Sequence, residues 1–388
     1  MIKKIVGIIC LILIVGILYT TKNTHQTSHT KQTTLQFASW GSESEISILK
    51  PILSDFEKEN PNIKIDFMHI PQNYFPKIHL LFASNTAPDV IFMNNQYLPI
   101  YANAGVLEDL SELKSEFCYD KFYTKSLETL SWQGKIYAVP RDISNLVVFY
   151  NKDLFKKYNV PYPKPDWTYY DFVKTAKELT HEPNVFGVSF EEEPLFYLPY
   201  LTSFGLNSLP KFDDSQTKIG LNKYADLRNK YKVAPRKEDS ASATMAQMFL
   251  QGKLGMQVSG RWLVPKYREE ANFDWDVVEF PKGSAGSIVP MDGSGWAISK
   301  SSKHKKEAIE LVKYLSSKQS LQEFTKSGLI VPARVDVAES KVFLDGNKPK
   351  NAQVFLTEIE TSRPTVVGVN YREILDDLKT KTEYMFNK

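Results

Sequence analysis

Cysteine is nearly absent: the 388 residues hold two, Cys10 and Cys118. Cys10 falls in an apolar N-terminal run, so the rest of the chain keeps one thiol and no internal disulfide is expected. The six histidines are scattered, and none has the Cys/His spacing of a zinc site. No metal and no cofactor are expected. An excess of one charge is also missing. Lys and Arg number 48 against 45 Asp and Glu, and three of the cations (Lys3, Lys4, Lys22) precede residue 23, where there is no acid. Beyond them the charges balance, whereas a nucleic-acid binder keeps a basic face. No nucleic-acid partner is expected. There is no Gly-rich phosphate loop, no Gly-x-Ser-x-Gly elbow and no repeat of solenoid period.

What is present is ordinary for a folded soluble chain. Hydrophobic residues make up 42% and charged residues 24%, near a globular norm of roughly 45–50% and 25%. Disordered, collagen-like and polytopic membrane chains are excluded on that ground. A length of 388 predicts two domains of about 100–200 residues each.

The N-terminus departs from this average. Met1-Ile2-Lys3-Lys4 is followed by an apolar run over 5–19, the pattern of a secretory signal or an N-terminal anchor. About 15 helical residues rise roughly 23 Å, less than a ~30 Å hydrocarbon core. Cys10 lies inside the run and lacks a small residue before it, unlike a lipoprotein cysteine. Residues 1–22 are therefore expected to be a signal peptide or anchor and 23–33 a polar tether. The chain is expected to be exported, to the periplasm or cell surface, and possible retention at the membrane stays open.

From residue 35 short strands alternate with helices. A strand at 35–38 precedes a helix capped by Ser42, with Ile46, Leu49, Leu53 and Phe56 spaced three or four apart. Asn60-Pro61-Asn62 stops it. A period-two strand at 63–67, a helix over 74–84 and an apolar strand at 89–93 complete a doubly wound α/β unit. The pattern restarts with strands at 146–150 and 185–188, a helix opening at Asp166-Trp167-Thr168, and strands at 254–258 and 275–278. The rest reads as mostly helical: about 305–316, 320–327, 351–361 and 371–385.

Several segments in this order resemble the bacterial extracellular solute-binding proteins of the family 1, sugar-binding type. They are Phe56-Glu57-Lys58-Glu59-Asn60-Pro61-Asn62-Ile63-Lys64-Ile65, Ala87-Pro88-Asp89-Val90-Ile91, and Tyr137-Ala138-Val139-Pro140 followed by 149–155. Gly252-Lys253-Leu254-Gly255-Met256 with Gly260-Arg261-Trp262, and Leu329-Ile330-Val331-Pro332-Ala333-Arg334, complete the set. The resemblance implies two doubly wound α/β lobes of the type II periplasmic-binding-protein class, discontinuous in sequence and joined by a hinge. Lobe 1 would comprise 34–141 plus 296–345 and lobe 2 142–295 plus 346–388. It also implies a monomeric, non-enzymatic receptor that captures a sugar, or a sugar phosphate, between the lobes and delivers it to an ABC-transporter permease.

Candidate ligand contacts follow from that frame. A pyranose has apolar faces and a polar rim, which suits Trp40 after the first strand, Trp262 after Gly260-Arg261, and Trp296 as either wall or hinge core. Loop polar groups are Glu43, Asn94, Asn95, Gln96, Asp142 and Asn145. The family often places an acid after the third strand; here Asn94-Asn95-Gln96 stands there. Arg141, Arg261 and Arg334 suit a phosphate or carboxylate as guanidinium forks, or pair with acids if the ligand is neutral. Gly293, Asp292, Ser44, Glu193 and Tyr371 are weaker candidates. Glu191-Glu192-Glu193 raises a glycosidase, which needs two carboxylates flanking a bond; adjacent glutamates at a helix start point apart. A surface scaffold or adhesion protein is the other class considered.

Overall fold

The computed structural model describes residues 32–240 and 242–388. The expected leader at 1–22 and nearly all of the tether lie outside the described residues, and Thr33 already belongs to the first strand. Among the described residues no helix is long and apolar enough to cross a membrane. Cys118 is a free, exposed thiol.

Thr33–Ser39 (β1), Ile63–His69 (β2) and Val90–Asn94 (β3) form a parallel set in the order β2-β1-β3. The helix Glu43–Glu59 connects the first two strands. Ser42 caps it by accepting the Glu45 N–H at 3.3 Å, and Ile46, Leu49, Leu53 and Phe56 are buried. Asn60 closes it by donating its backbone N–H and its side-chain amide to the Phe56 carbonyl, which uses an otherwise orphaned helix-end acceptor. Ser131–Trp132 (β4) and Lys135–Ile136 (β5) make a small hairpin, and Ala138–Ser144 (β6) then enters the first sheet.

One residue, Asn145, separates β6 from Leu146–Asn151 (β7), which belongs to a second sheet. That sheet adds Phe186–Val188 (β8), Leu254–Gly260 (β9) and Trp275–Val278 (β10) in the order β10-β7-β9-β8. Only its β8–β9 pair is parallel, so the second sheet is mixed. Pro290–Ile298 (β11) returns to the first sheet between β3 and β6, antiparallel to both. Val331–Pro332 (β12) and Arg363–Pro364 (β13) pair with β6 and β11. The expected divisions at 141/142 and 295/296 thus fall inside β6 and β11, the strands that carry the chain between lobes.

Burial follows strand parity. Val147 and Phe149 of β7 join the core shared with the first lobe, while Leu146, Val148 and Tyr150 join the core on the other face. Both faces of the second sheet are therefore covered, which explains its near-continuous apolar runs. The helix expected to open at Asp166-Trp167-Thr168 runs over Tyr169–Leu179, with Thr168 as its N-cap. Asp166 has φ +67°, a left-handed conformation that cannot start a helix, and Thr168 with Asp171 forms the capping box instead.

Candidate functional site

A cavity of about 250 Å³ opens between the two sheets, beyond the carboxyl ends of β1 and β3, where open α/β sheets place ligand sites. Along β6 and β11 the register slips: Ser294 faces Asp142 while Gly295 faces Pro140. Arg141 is the extra residue of this β-bulge. Strict alternation would send Arg141 and Asp142 to opposite faces; the bulge lets both line the cavity. Gly295 permits the close approach, because a Cβ there would sit 2.0 Å from the Val139 carbonyl oxygen.

The first-lobe wall is a compensated polar network. Arg141 donates from Nη1 to Glu45 and from Nε to Asp142, each at 2.5 Å, and its guanidinium lies 4.2 Å from the Phe92 ring centroid. Burial works against the charge, but Asp142 and Glu45 outweigh it and hold the guanidinium above its ordinary value. Ser294 donates to the other Asp142 oxygen at 2.8 Å. Asp292 accepts from Asn95 and Gln96 at 2.8 Å and from Thr365 at 2.6 Å, all neutral donors. Asn94 Oδ1 accepts the Tyr97 N–H at 3.1 Å, and this turn sets Asn95 and Gln96 at the rim. Trp40 packs among Tyr74, Phe75 and Phe92, with centroids at 5.0, 5.4 and 4.3 Å.

The second-lobe wall is different. Arg261 is 3% exposed and stacks 4.0 Å from the Phe343 centroid. Among the described residues its Nε and Nη1 find no acceptor. Burial first, and then Arg268, push its pKa down to about 9. Trp262 folds back on Gly260, where a Cβ would lie 1.8 Å from the indole; only glycine admits the ring there.

The cavity therefore gathers Trp40, Asn94, Asn95, Gln96, Arg141, Asp142, Arg261, Trp262, Asp292 and Gly293. Seven expected residues stand elsewhere, among them the exposed Ser44 and Glu193 and the buried Tyr371. Glu43 is exposed on the outer face of its helix. Asn145 is buried at the sheet junction and donates to the Phe355 carbonyl at 2.8 Å. Trp296 is fully buried against Phe37 and Phe92, because it lies deeper along β11 than Asp292 and Ser294. Arg334 donates from Nε and Nη2 to its neighbour Asp336 at 3.0 and 2.9 Å. Glu45, Ile143, Ser144, Ser294 and residues 329–331 also line the cavity and were missed. Glu45 had a signal: it precedes Leu49 by four residues and so sits toward the buried face of its helix, whereas Glu43 does not. Among the described residues no group of three or more His, Cys, Asp or Glu could hold a metal ion.

Residues 40–322 match the profile of the bacterial extracellular solute-binding proteins, and the chain belongs to that family. It is 25% identical to the maltodextrin-binding protein MdxE of Bacillus subtilis over 343 residues, covering 82% of this chain and 77% of the relative. An ABC substrate-binding protein from Listeria monocytogenes, solved in complex with cycloalternan, superposes with a TM-score of 0.83 at 25% identity. That match covers 92% of this chain and 94% of the other. Maltose-bound MalE3 of T. maritima shares the fold, with a TM-score of 0.77 at 22% identity over 91% of this chain and 94% of that one.

Proposed function

We propose that the chain is the extracytoplasmic receptor of an ABC importer, capturing a neutral mono- or oligosaccharide between its lobes. The lobes close on the solute about the strands β6 and β11, and the closed form delivers it to a membrane permease. It acts as a monomer, without catalysis, outside the cytoplasmic membrane, exported by an N-terminal segment that serves as signal peptide or anchor. The observation that carries the reading is the lining itself. Trp40 and Trp262 enter from the two lobes, while three carboxylates and two guanidiniums leave no surplus of positive charge. Arg141 is already committed to Glu45 and Asp142, so it is not free for an anion. The names of the maltodextrin-binding relative and of the sugar-bound neighbours support a carbohydrate.

None of Glu191, Glu192 and Glu193 lines the cleft. Glu192 pairs with Arg228 and Lys237, and Glu193 with Lys379, which supports a receptor over a glycosidase. A sugar phosphate or uronate is the second reading, favoured by Arg261, whose Nε and Nη1 find no acceptor among the described residues. A thermal-shift screen of sugars, polyols and sugar phosphates tests both. A ligand at 100 times its dissociation constant adds about 2.7 kcal/mol. A sugar should stabilise the protein with little dependence on salt; a fivefold loss of affinity at high salt would sink the neutral-sugar reading.

A further inference from the structure

The polar network of the first wall does not end in the first lobe. Gln96 uses both ends of its amide: Nε2 donates to Asp292 at 2.8 Å, and Oε1 accepts from Arg372 Nη1 at 2.9 Å. Gln96 follows β3 and belongs to the first lobe. Arg372 is the second residue of the C-terminal helix Tyr371–Phe386, whose Tyr371, Leu375, Leu378 and Phe386 are buried in the second-lobe core. The guanidinium thus leaves its own lobe, passes 5.5 Å from the Tyr97 ring centroid and reaches the rim of the cleft. Its Nε has no acceptor among the described residues, and its own-helix partner Asp376 is 3.8 Å away, so the bond to Gln96 is its closest polar contact.

We propose that Arg372 is a positioning residue that couples lobe closure to the orientation of Gln96. With the lobes together, Arg372 takes the Gln96 carbonyl and Asp292 takes one amide N–H. The second N–H is left for the cleft, so this rim presents a donor and selects an acceptor oxygen, such as a sugar hydroxyl. When the lobes part, the bond breaks, the amide is free to turn and the selection is lost. The inference rests on reading the cleft as the solute site, but the bridge itself does not depend on which solute enters.

The test is a double-mutant cycle of urea unfolding on the solute-free protein, over Arg372→Met, Gln96→Ala and both together. Methionine keeps an apolar chain over Tyr97 and removes every donor. The pair should show a coupling of roughly ten- to a hundredfold in the unfolding equilibrium, as a hydrogen bond to a charged group gives. Small-angle X-ray scattering should find Arg372→Met more expanded than wild type. Additive single effects with identical scattering curves would overturn the proposal. With maltotriose as probe, Arg372→Met should raise the dissociation rate about tenfold and leave association unchanged; an unchanged dissociation rate would also count against it. Should wild type not bind maltotriose, the carbohydrate reading is weakened, while the solute-free cycle still decides the bridge.

Discussion

Arg141 and Arg261 face the same cleft from opposite lobes, and the two lobes treat a buried guanidinium in contrary ways. Arg141 has two carboxylates within 2.5 Å and an aromatic face beneath it. Arg261 has the aromatic faces of Phe343 and Phe355, but no acceptor for Nε or Nη1 among the described residues. The helix Val354–Thr361, which carries Phe355, also buries Glu358, and among the described residues no hydrogen bond reaches its Oε2. Desolvating a charge costs several kcal/mol unless it is paired. The first wall is thus self-satisfied and holds its geometry without a solute. The second leaves polar capacity unused, which a solute can satisfy on closure.

The largest expected effect breaks the first wall. Arg141→Met leaves Glu45 and Asp142 partly buried beside each other without their cation, and should cost about 3–5 kcal/mol of stability in urea unfolding. A cost near zero would mean that the pair is not desolvated in solution. Next is Glu358, the acid buried on the helix Val354–Thr361. Burial pushes Glu358 up to about 8 against the Phe280 N–H, which holds it down. Unfolded, the group ionises near its ordinary value of 4.5. The folded protein therefore binds more protons between these values, and stability present at low pH is lost as pH rises toward 8. Thermal scans from pH 5 to 8 should record a loss on the order of a few kcal/mol, which Glu358→Gln should flatten.

Smaller effects sharpen the contrast between the two tryptophans. Trp262→Ala should weaken carbohydrate binding more than tenfold, about 1.4 kcal/mol, with little change in far-UV circular dichroism. Trp40→Ala should also lower stability, since its ring is part of the cluster with Tyr74, Phe75 and Phe92. Equal stability losses with intact affinity would return both rings to the core. The smallest change in stability belongs to Arg261→Met, because among the described residues the charge it removes has no ion-pair partner to leave behind. Stability should hold within about 1 kcal/mol while calorimetry records weaker binding. A large destabilisation would show that Arg261 is paired in solution.

Much of the frame was legible because it is written in short-range pattern. The Ser42 cap, the three-and-four spacing of the helix it opens, and the period-two strand at Ile63–His69 involve residues a few positions apart. Trp40 and Asn94-Asn95-Gln96 could be nominated because they end strands. For Arg334 and Trp296 two readings stood open, and the structure takes the ion pair for one and the core for the other. Arg334 found an acid two residues on, and Trp296 continues the strand past the cleft into the aromatic core.

The sequence by itself determined the order of strands and helices, the family and the loops from which a cleft is built, since each rests on local periodicity and contiguous motifs. The tertiary structure alone decided which polar groups in that cleft are already spent. Arg141 meets Glu45 across 96 residues and Asp292 meets Gln96 across 196. Those pairings depend on β11 inserting between β3 and β6 and on one bulged residue, Arg141, in the ladder. A register slip of one residue reverses the face of every side chain beyond it, and composition and spacing carry no record of where the slip falls.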